Sequence, residues 1–183
     1  MLLISGSLRA GSTNTAVLRT AEYLAPRGVI ATPYRDLEKL PHFNPDRDRP
    51  PLDQAVVALR HQIHESHAIL FSTPEYAGAL PGSFKNLLDW TIGDDQPGSI
   101  YEKPVAWINA SPRPARQAHD SLRLVLEYAK AIVVEAALAQ VPVTAADIGS
   151  DGLVDNPGFR AQIETTLARV AAHVRSVGPS APP

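Results

Sequence analysis

Short apolar segments alternate with segments of helical periodicity along most of the chain, and this alternation limits the fold more than any other feature. Apolar runs of strand length lie at Met1 to Ser5, Ala68 to Ser72 and Pro104 to Ala110. Each run is followed by a loop and then by apolar residues spaced three or four positions apart, which is the pattern of an amphipathic helix. The chain therefore predicts right-handed βαβ units and a parallel sheet.

The remaining predicted elements complete an alternating order of strands and helices. They are a helix capped by Ser12, a strand at Val29 to Tyr34, helices at Asp53 to Ser66, around Phe84 to Trp90 and at Ala118 to Lys130, a fifth strand within Ile132 to Val143, and a helix at Phe159 to Val177. Pro33 interrupts the second strand, and proline is tolerated mainly on edge strands. This position fits a flavodoxin-like α/β fold, a three-layer sandwich with a five-stranded parallel sheet in the order 2-1-3-4-5.

One domain is expected, because 183 residues are enough for a single buried core. Its predicted limits are residues 1–177, with residues 178–183 as a disordered tail. The segment 37–51 is rich in proline, aspartate and arginine, has no periodicity, and is predicted to be a surface loop. Within it, residues 46–49 alternate in charge and are expected to be solvated and to form ion pairs, with contact to a second subunit as an alternative use.

The composition excludes several classes of function. The chain has no cysteine, so disulfides, thiolate catalysis, zinc–cysteine sites and iron–sulfur clusters are ruled out, and any redox activity requires a bound cofactor. The net charge of -2 attracts neither nucleic acid nor an acidic membrane surface. No apolar run approaches about 18 residues, and the first residues lack the features of a secretory signal, so a cytoplasmic protein is expected. His61, His64 and His67 recur every three residues but are interpreted as surface histidines rather than as a metal site.

Three loops are predicted to form a binding site. In the order 2-1-3-4-5, ligands bind where the winding of the sheet reverses, which points to the loops after Ser5, Ser72 and Ala110. The first loop, Gly6 to Thr15, combines a helix N-terminus with four hydroxyl groups, one amide and one guanidinium, a set that suits a phosphate. Its glycines have P-loop spacing, but serine replaces the lysine and no dinucleotide fingerprint is present, so a monophosphate is favoured. The alternative is a serine that only caps the helix and an arginine that is solvated.

The second loop, Thr73 to Asn86, contains two prolines and two glycines that fix its backbone path. Such a path can present main-chain N–H and C=O groups to a flat heteroaromatic ring. Tyr76 is interpreted either as packing against that ring or as covering the edge of the sheet.

Two motifs in these loops carry a resemblance to a known family. Gly-Ser-Leu-Arg-x-Gly-Ser-x-Asn follows the first strand, and Pro-Glu-Tyr-x-x-x-x-Pro-Gly-x-x-Lys-Asn-x-x-Asp-Trp follows the third. In this order they resemble the NADPH-dependent FMN reductase family, whose members are flavodoxin-fold flavoproteins and include reductases of quinones, chromate and azo dyes. The resemblance covers residue 3 to about residue 130.

The resemblance implies FMN as the bound cofactor and NADPH or NADH as its reductant. By position, the FMN phosphate would be held by Ser7, Arg9, Ser12, Asn14 and Thr15, the isoalloxazine would be lined by Pro74, Glu75, Tyr76, Ala77 and Gly78, and Ser111 would contact the flavin from the third loop. No side chain is implied as a catalytic acid or base, because hydride transfer from nicotinamide to flavin N5 is chemistry of the cofactor.

The third loop departs from the family pattern. Family members usually have Ser-x-Gly-x-x-Gly-Gly here, closing over the flavin, whereas this chain has Ala-Ser-Pro-Arg-Pro-Ala-Arg at residues 110–116. Proline donates no N–H and a Cβ blocks close approach of the backbone, so the departure bears on flavin affinity and nicotinamide access. Arg113 and Arg116 are interpreted either as a site for the extra phosphate of NADPH or as solvated charges, and the second interpretation is favoured.

The predicted function is that of an FMN-dependent NAD(P)H oxidoreductase with a ping-pong mechanism. NADPH or NADH reduces the flavin and leaves, and a small acceptor such as a flavin or quinone then takes the electrons. A homodimer or homotetramer is expected from the family. Two alternatives stay open: a flavodoxin-type electron carrier or non-catalytic flavin-binding sensor, and a family member that has lost FMN through its altered third loop.

Overall fold

The computed structural model describes residues 1–113 and 115–178, and a parallel β-sheet forms its middle layer. The strands are β1 (Leu2–Ser5), β2 (Thr32–Tyr34), β3 (Ile69–Ser72), β4 (Pro104–Asn109), β5 (Ile132–Val133) and β6 (Ala139–Gln140). Their order is β2-β1-β3-β4-β5, with β6 also paired to β4. This confirms the predicted order 2-1-3-4-5 and the position of the proline-containing strand at the edge.

The predicted fifth strand is divided into two pieces, so one continuous strand within residues 132–143 was an incomplete prediction. β5 pairs with the beginning of β4 and β6 with its end. A short 3-10 turn, Glu135–Ala137, separates the two pieces. The chain leaves the ladder there because Val134 and Ala137 are buried in the hydrophobic core beneath the last helix.

Helices cover both faces of the sheet. They are α1 (Thr13–Tyr23), α2 (Gln54–His64), α3 (Gly82–Ile92), α4 (Arg116–Tyr128) and α5 (Pro157–Val177). The alternation within β1 shows how the sheet separates two cores: Leu2 and Ile4 pack with α2, α3 and α4, whereas Leu3 packs with α1 and α5. The predicted three-layer sandwich is thereby confirmed.

Residues 179–183, most of the predicted tail, lie outside the described residues. Among the described residues, no helix combines the length and the apolar character that a membrane span requires.

The segment 37–51 is more buried than predicted. It contains two 3-10 turns, Leu37–Lys39 and Pro45–Arg47. Asp48 is not solvated: its Oδ1 lies 2.7 Å from Nη2 of Arg60, and both side chains are nearly buried. Arg60 also donates from Nε and Nη2 to Trp90 O at 3.0 and 2.8 Å. The predicted ion pairing is found at Asp48, but the prediction that the stretch is solvated was wrong there. Arg60 of α2 pairs with Asp48 away from solvent, a tertiary contact that periodicity does not reveal.

Candidate functional site

The three predicted loops meet at the carboxyl edge of the sheet, where β1 and β3 end side by side. Gly6 donates its backbone N–H to Ser72 O at 2.8 Å, and a Cβ added at Gly6 would lie 2.2 Å from Thr73 Oγ1. The first and second loops therefore touch through an approach that requires glycine. Ser72 Oγ lies 2.8 Å from Ile108 O in β4 and 2.9 Å from Asn14 Oδ1 in α1. These contacts fix the relative positions of the loop origins.

Ser12 occupies the N-cap position of α1, as predicted, but its side chain makes no capping hydrogen bond. The serine is only 5% exposed, and the first turn of α1 contains no acidic residue. The first N–H groups of a helix have no partner within the helix, so this end of α1 offers an anion both donors and the positive end of the helix dipole. The geometry favours a phosphate site over a simple cap.

Hydroxyl groups of the first loop form an ordered chain. Ser7 donates its backbone N–H to Ser5 Oγ at 3.2 Å, and Ser5 Oγ lies 3.1 Å from Thr15 Oγ1. Ser7 Oγ accepts the backbone N–H of Arg9 at 3.3 Å, which leaves the Ser7 hydroxyl proton for an acceptor such as a phosphate oxygen. The side-chain amide of Asn14 contacts Ser72 Oγ at 2.9 Å with one end, which leaves its other end for a ligand.

The second loop carries a tight turn at the same edge. Tyr76 and Ala79 exchange two backbone hydrogen bonds of 3.0 Å, and between them Ala77 and Gly78 both have positive φ, 50° and 70°. This is the geometry of a type I′ turn, which Asn-Gly forms most readily, and alanine is strained in it. Strained backbone clusters at ligand-binding positions. Tyr76 is 47% exposed, which favours packing against a ligand over covering the sheet.

Glu75 joins the second loop to the third. Ala118 in the first turn of α4 donates its backbone N–H to Glu75 Oε2 at 3.1 Å. The N-cap residue of α4 is Ala115, which has no capping side chain and a φ of 44°. Glu75 therefore supplies the missing cap from a neighbouring loop, and its carboxylate interacts favourably with the positive end of the helix dipole. The helix begins at Arg116, two residues earlier than predicted.

The described part of the third loop is held by short-range hydrogen bonds. Ser111 donates its backbone N–H to Asn109 Oδ1 at 3.0 Å, and Ser111 Oγ accepts the backbone N–H of Arg113 at 3.2 Å. Pro74, half-buried in the second loop, accepts a hydrogen bond on its carbonyl oxygen from Thr73 Oγ1 at 3.2 Å. Arg113 and Arg116 are both exposed. The loop is thus ordered by serine and asparagine side chains where the family pattern has glycines.

Some residues at this edge were not singled out by the sequence. Ser5 and Ser72 are the polar residues that end two apolar strands, and that position is a signal that identifies them. His119 has no such signal, because its environment is tertiary: its ring centroid lies 6.2 Å from that of Trp107. Its Nδ1 lies 2.8 Å from Ala115 O, so it donates there, and Nε2 is buried without a partner among the described residues. Burial lowers the pKa of His119, which keeps Nε2 a bare acceptor.

These features fit FMN. A phosphate monoester needs unspent N–H groups, hydroxyl donors and a fixed positive charge, and the first loop supplies all three through the end of α1, Ser7 and Arg9. A flat ring needs exposed main-chain groups and an aromatic neighbour, which the turn at Tyr76 to Ala79 supplies. The donor set therefore matches the cofactor that the resemblance implies.

Comparisons with known proteins agree with this geometry. The family model described as NADPH-dependent FMN reductase matches residues 1–144. A protein of Pseudomonas aeruginosa named NAD(P)H-dependent FMN reductase is 40% identical over 112 residues, 61% of this chain and 59% of that protein. A 2-hydroxy-1,4-benzoquinone reductase of a Burkholderia species is 27% identical over 180 residues, 94% of each chain.

A solved structure gives the same answer at the level of the fold. FerB from Paracoccus denitrificans, a flavoenzyme NAD(P)H:(acceptor) oxidoreductase, superposes with a TM-score of 0.79 and 26% identity over 94% of this chain and 97% of FerB. The chain spans little more than half of the Pseudomonas reductase and of a probable NADPH:quinone oxidoreductase of rice, 59% and 54%. The match of the family model covers well over half of this chain. The chain therefore belongs to the NADPH-dependent FMN reductase family.

Proposed function

We propose that this chain is an FMN-dependent oxidoreductase that takes electrons from NADPH or NADH and passes them to a small acceptor in ping-pong order. The observation that carries the proposal is the N-terminus of α1, where Ser12 stands at the N-cap without capping and no acid competes for the helix end. An anion site of this kind, in a chain of this family, is what the phosphate of FMN requires.

The side chains and backbone of this chain bind and orient the cofactor. Ser7, Arg9, Ser12, Asn14 and Thr15 hold the phosphate, and the backbone from Pro74 to Gly78 lines the isoalloxazine, with Ser111 approaching from the third loop. When bound, FMN supplies the hydride-accepting chemistry, so no protein acid or base is needed for that step. Relatives named as quinone reductases support a small acceptor such as a quinone or flavin.

The first experiment titrates the purified protein with FMN and follows flavin fluorescence. NADPH is then added without air, and the absorbance of the flavin band at about 450 nm is followed. Binding followed by rapid bleaching supports the reductase. Binding without bleaching by NADPH or NADH favours an electron carrier or flavin-binding sensor. No binding indicates that the altered third loop has abolished the site. Steady-state lines that intersect rather than run parallel would contradict the ping-pong order.

A pair of N-cap variants separates ligand binding from helix capping. The side chain of Asp53, the N-cap of α2, accepts a hydrogen bond from Ala55 N at 2.8 Å, whereas the side chain of Ser12 accepts none from α1. We expect Ser12→Ala to weaken FMN binding at least about tenfold with little loss of stability. Asp53→Ala is expected to lose about 1 kcal/mol of unfolding free energy while FMN affinity stays unchanged. Equal effects of the two variants on FMN affinity would count against a phosphate site at Ser12.

We also infer a homodimer or homotetramer in the cytoplasm. Leu124 and Tyr128 are one turn apart on α4 and are 68% and 75% exposed, and adjacent exposed apolar side chains are typical of contact surfaces. Light scattering on the purified protein measures the assembly. Leu124→Glu is expected to reduce the mass to that of one chain, and an unchanged mass would place the contact elsewhere.

A further inference from the structure

A cavity of about 490 Å³ lies at the edge of the sheet where the strands begin, the edge opposite to the three loops of the proposed flavin site. Its lining comes from the beginnings of β1 and β2, the residues just before β3, and the C-terminal ends of α2 and α5. Ligand pockets in proteins commonly have volumes of about 300–1,000 Å³, so this cavity has room for a small molecule.

The length of β1 separates this cavity from the flavin loops. Leu2 lines the cavity, whereas Ser5, three residues further along the strand and about 10 Å away, lies at the first loop. None of the described residues of the three loops lines the cavity. Because hydride transfer requires the reacting atoms to be in contact, a ligand bound here does not exchange electrons directly with the flavin.

The inner wall of the cavity is apolar. Leu2 and Ala68 are buried, Val174 is half-buried, and Ile30 is 82% exposed in the same lining. Covering apolar surface with another apolar group is favourable, by about 25 cal/mol for each Å² removed from water. The wall therefore suits the apolar body of a ligand.

Three basic side chains of the lining have no partner. His61, His67 and Arg175 are exposed, and their side chains make no hydrogen bond or ion pair within the described part of the chain. Among the described residues, Glu65 is the only carboxylate residue in the lining. The charge of Arg175 is permanent, and its guanidinium has the forked geometry that matches a carboxylate.

The end of α2 does not favour a cation instead. The last carbonyl groups of a helix attract positive charge, but Lys103 Nζ already donates to Ile63 O and Ser66 O, both at 2.6 Å. Burial and, as the second cause, the positive charge of Lys103 lower the pKa of the Met1 amino group, so the charge of this buried lysine acts on the lining. The cavity therefore favours an anion over a cation.

We propose that this cavity binds a small carboxylate with an apolar body, such as an aromatic acid. Arg175 pairs with the carboxylate, and Leu2, Ile30 and Val174 cover the apolar body. The site is distinct from the flavin site and goes beyond the proposed function, so the cavity binds its ligand whether or not FMN is present.

The test measures by calorimetry how 2-naphthoate and 2-naphthamide, its uncharged counterpart, bind to the FMN-loaded protein. The carboxylate should bind more tightly than the amide. Arg175→Ala is expected to weaken 2-naphthoate at least about tenfold and to leave 2-naphthamide unchanged, because only the carboxylate pairs with the guanidinium. Ile30→Asp should weaken both ligands, since it removes part of the apolar wall, and should weaken the carboxylate more through charge repulsion.

Two control variants match these substitutions outside the cavity. Arg49→Ala removes an exposed arginine, and Val57→Asp introduces a carboxylate at a valine that is 51% exposed. Neither residue lines the cavity, so neither variant should change the binding of either ligand.

Several outcomes would overturn the inference. They are no heat of binding up to about 1 mM 2-naphthoate, equal affinities for the carboxylate and the amide, or binding that neither Arg175→Ala nor Ile30→Asp weakens. Binding that occurs without FMN and is lost when FMN is added would place the probe in the flavin loops. Binding that depends on Arg175 in protein that fails to bind FMN would support the cavity and contradict the proposed function.

Discussion

The two edges of the sheet differ in how their polar side chains are paired. At the edge where the strands begin, charged side chains bond to backbone carbonyl groups and to one another. At the edge where the strands end, several polar groups have no hydrogen-bond partner. Lys103 Nζ donates to Ile63 O and Ser66 O, both at 2.6 Å. His64 Nε2 lies 2.7 Å from Asp94 Oδ2. Lys103 and Arg60 thereby donate to carbonyl oxygens near the C-terminal ends of α2 and α3.

The carboxyl edge is built in the opposite way. The side chain of Ser12 caps nothing, and Ala115, the N-cap residue of α4, has no capping side chain of its own. Each of these features lowers stability unless a ligand or a neighbouring loop compensates. This comparison indicates that one edge of the sheet contributes mainly to stability and that the other edge is suited to binding a ligand.

The largest expected effect is a loss of stability from a substitution at the edge where the strands begin. Arg60→Met leaves Asp48 buried and uncompensated and removes both hydrogen bonds to Trp90 O, so we expect a loss of about 3–5 kcal/mol of unfolding free energy in urea. FMN affinity of the folded fraction should not change. Arg47→Met, an exposed neighbour of Asp48, is the control and should be neutral. A loss below about 1 kcal/mol for Arg60→Met would mean that the ion pair between Arg60 and Asp48 contributes little to stability.

The next largest effect is expected from a substitution in the loops at the edge where the strands end. In Gly6→Ala the new methyl group would meet the buried side chain of Thr73, so we expect a loss of about 1–3 kcal/mol in stability together with much weaker FMN binding. Gly11 lies in the same loop, and a Cβ there meets nothing within 4 Å. Gly11→Ala should therefore be neutral or slightly stabilising. If both variants bind FMN normally, the contact between the two loops is not needed for the site.

A pH titration sharpens the comparison. Burial lowers the pKa of Lys103 to about 8, while the unfolded chain keeps the ordinary value of 10.5. Between these values the unfolded state holds the additional proton, so the free energy of unfolding gains from Lys103 as pH rises, by at most about 1.4 kcal/mol per pH unit. We subtract the free energy of unfolding of Lys103→Met from that of the wild type, both measured in urea between pH 7.5 and 10.5. This difference should become more positive as pH rises. A constant difference would show that the lysine stays protonated.

The smallest effect tests the strained turn. Ala77→Asn creates an Asn-Gly pair at the two left-handed positions, and we expect a gain of about 0.5–1 kcal/mol in thermal unfolding. Ala79→Asn, outside those positions, should give no gain. Equal shifts in both variants would show that the gain does not come from the backbone at residue 77.

The sequence was sufficient for the strand order, because apolar runs identified the buried strands and Pro33 marked the edge. It also identified the loops of the site, since strand order alone determines where parallel strands end. It did not predict the division of the fifth strand, because the burial of Val134 and Ala137 depends on α5. The sequence also did not predict that Glu75 caps α4, because a hydrogen bond between a loop and a distant helix leaves no periodic pattern in the chain.

The interruption of the fifth strand and the proline in the second strand both affect how the edges of the sheet can pair with other molecules. Unpaired strand edges can recruit strands from other molecules, and both margins of this sheet are poor templates for that. One margin presents two pieces of only two residues each, and the other presents three residues with Pro33 at their centre. The protein is thereby protected against edge-to-edge aggregation whether or not a cofactor occupies its loops.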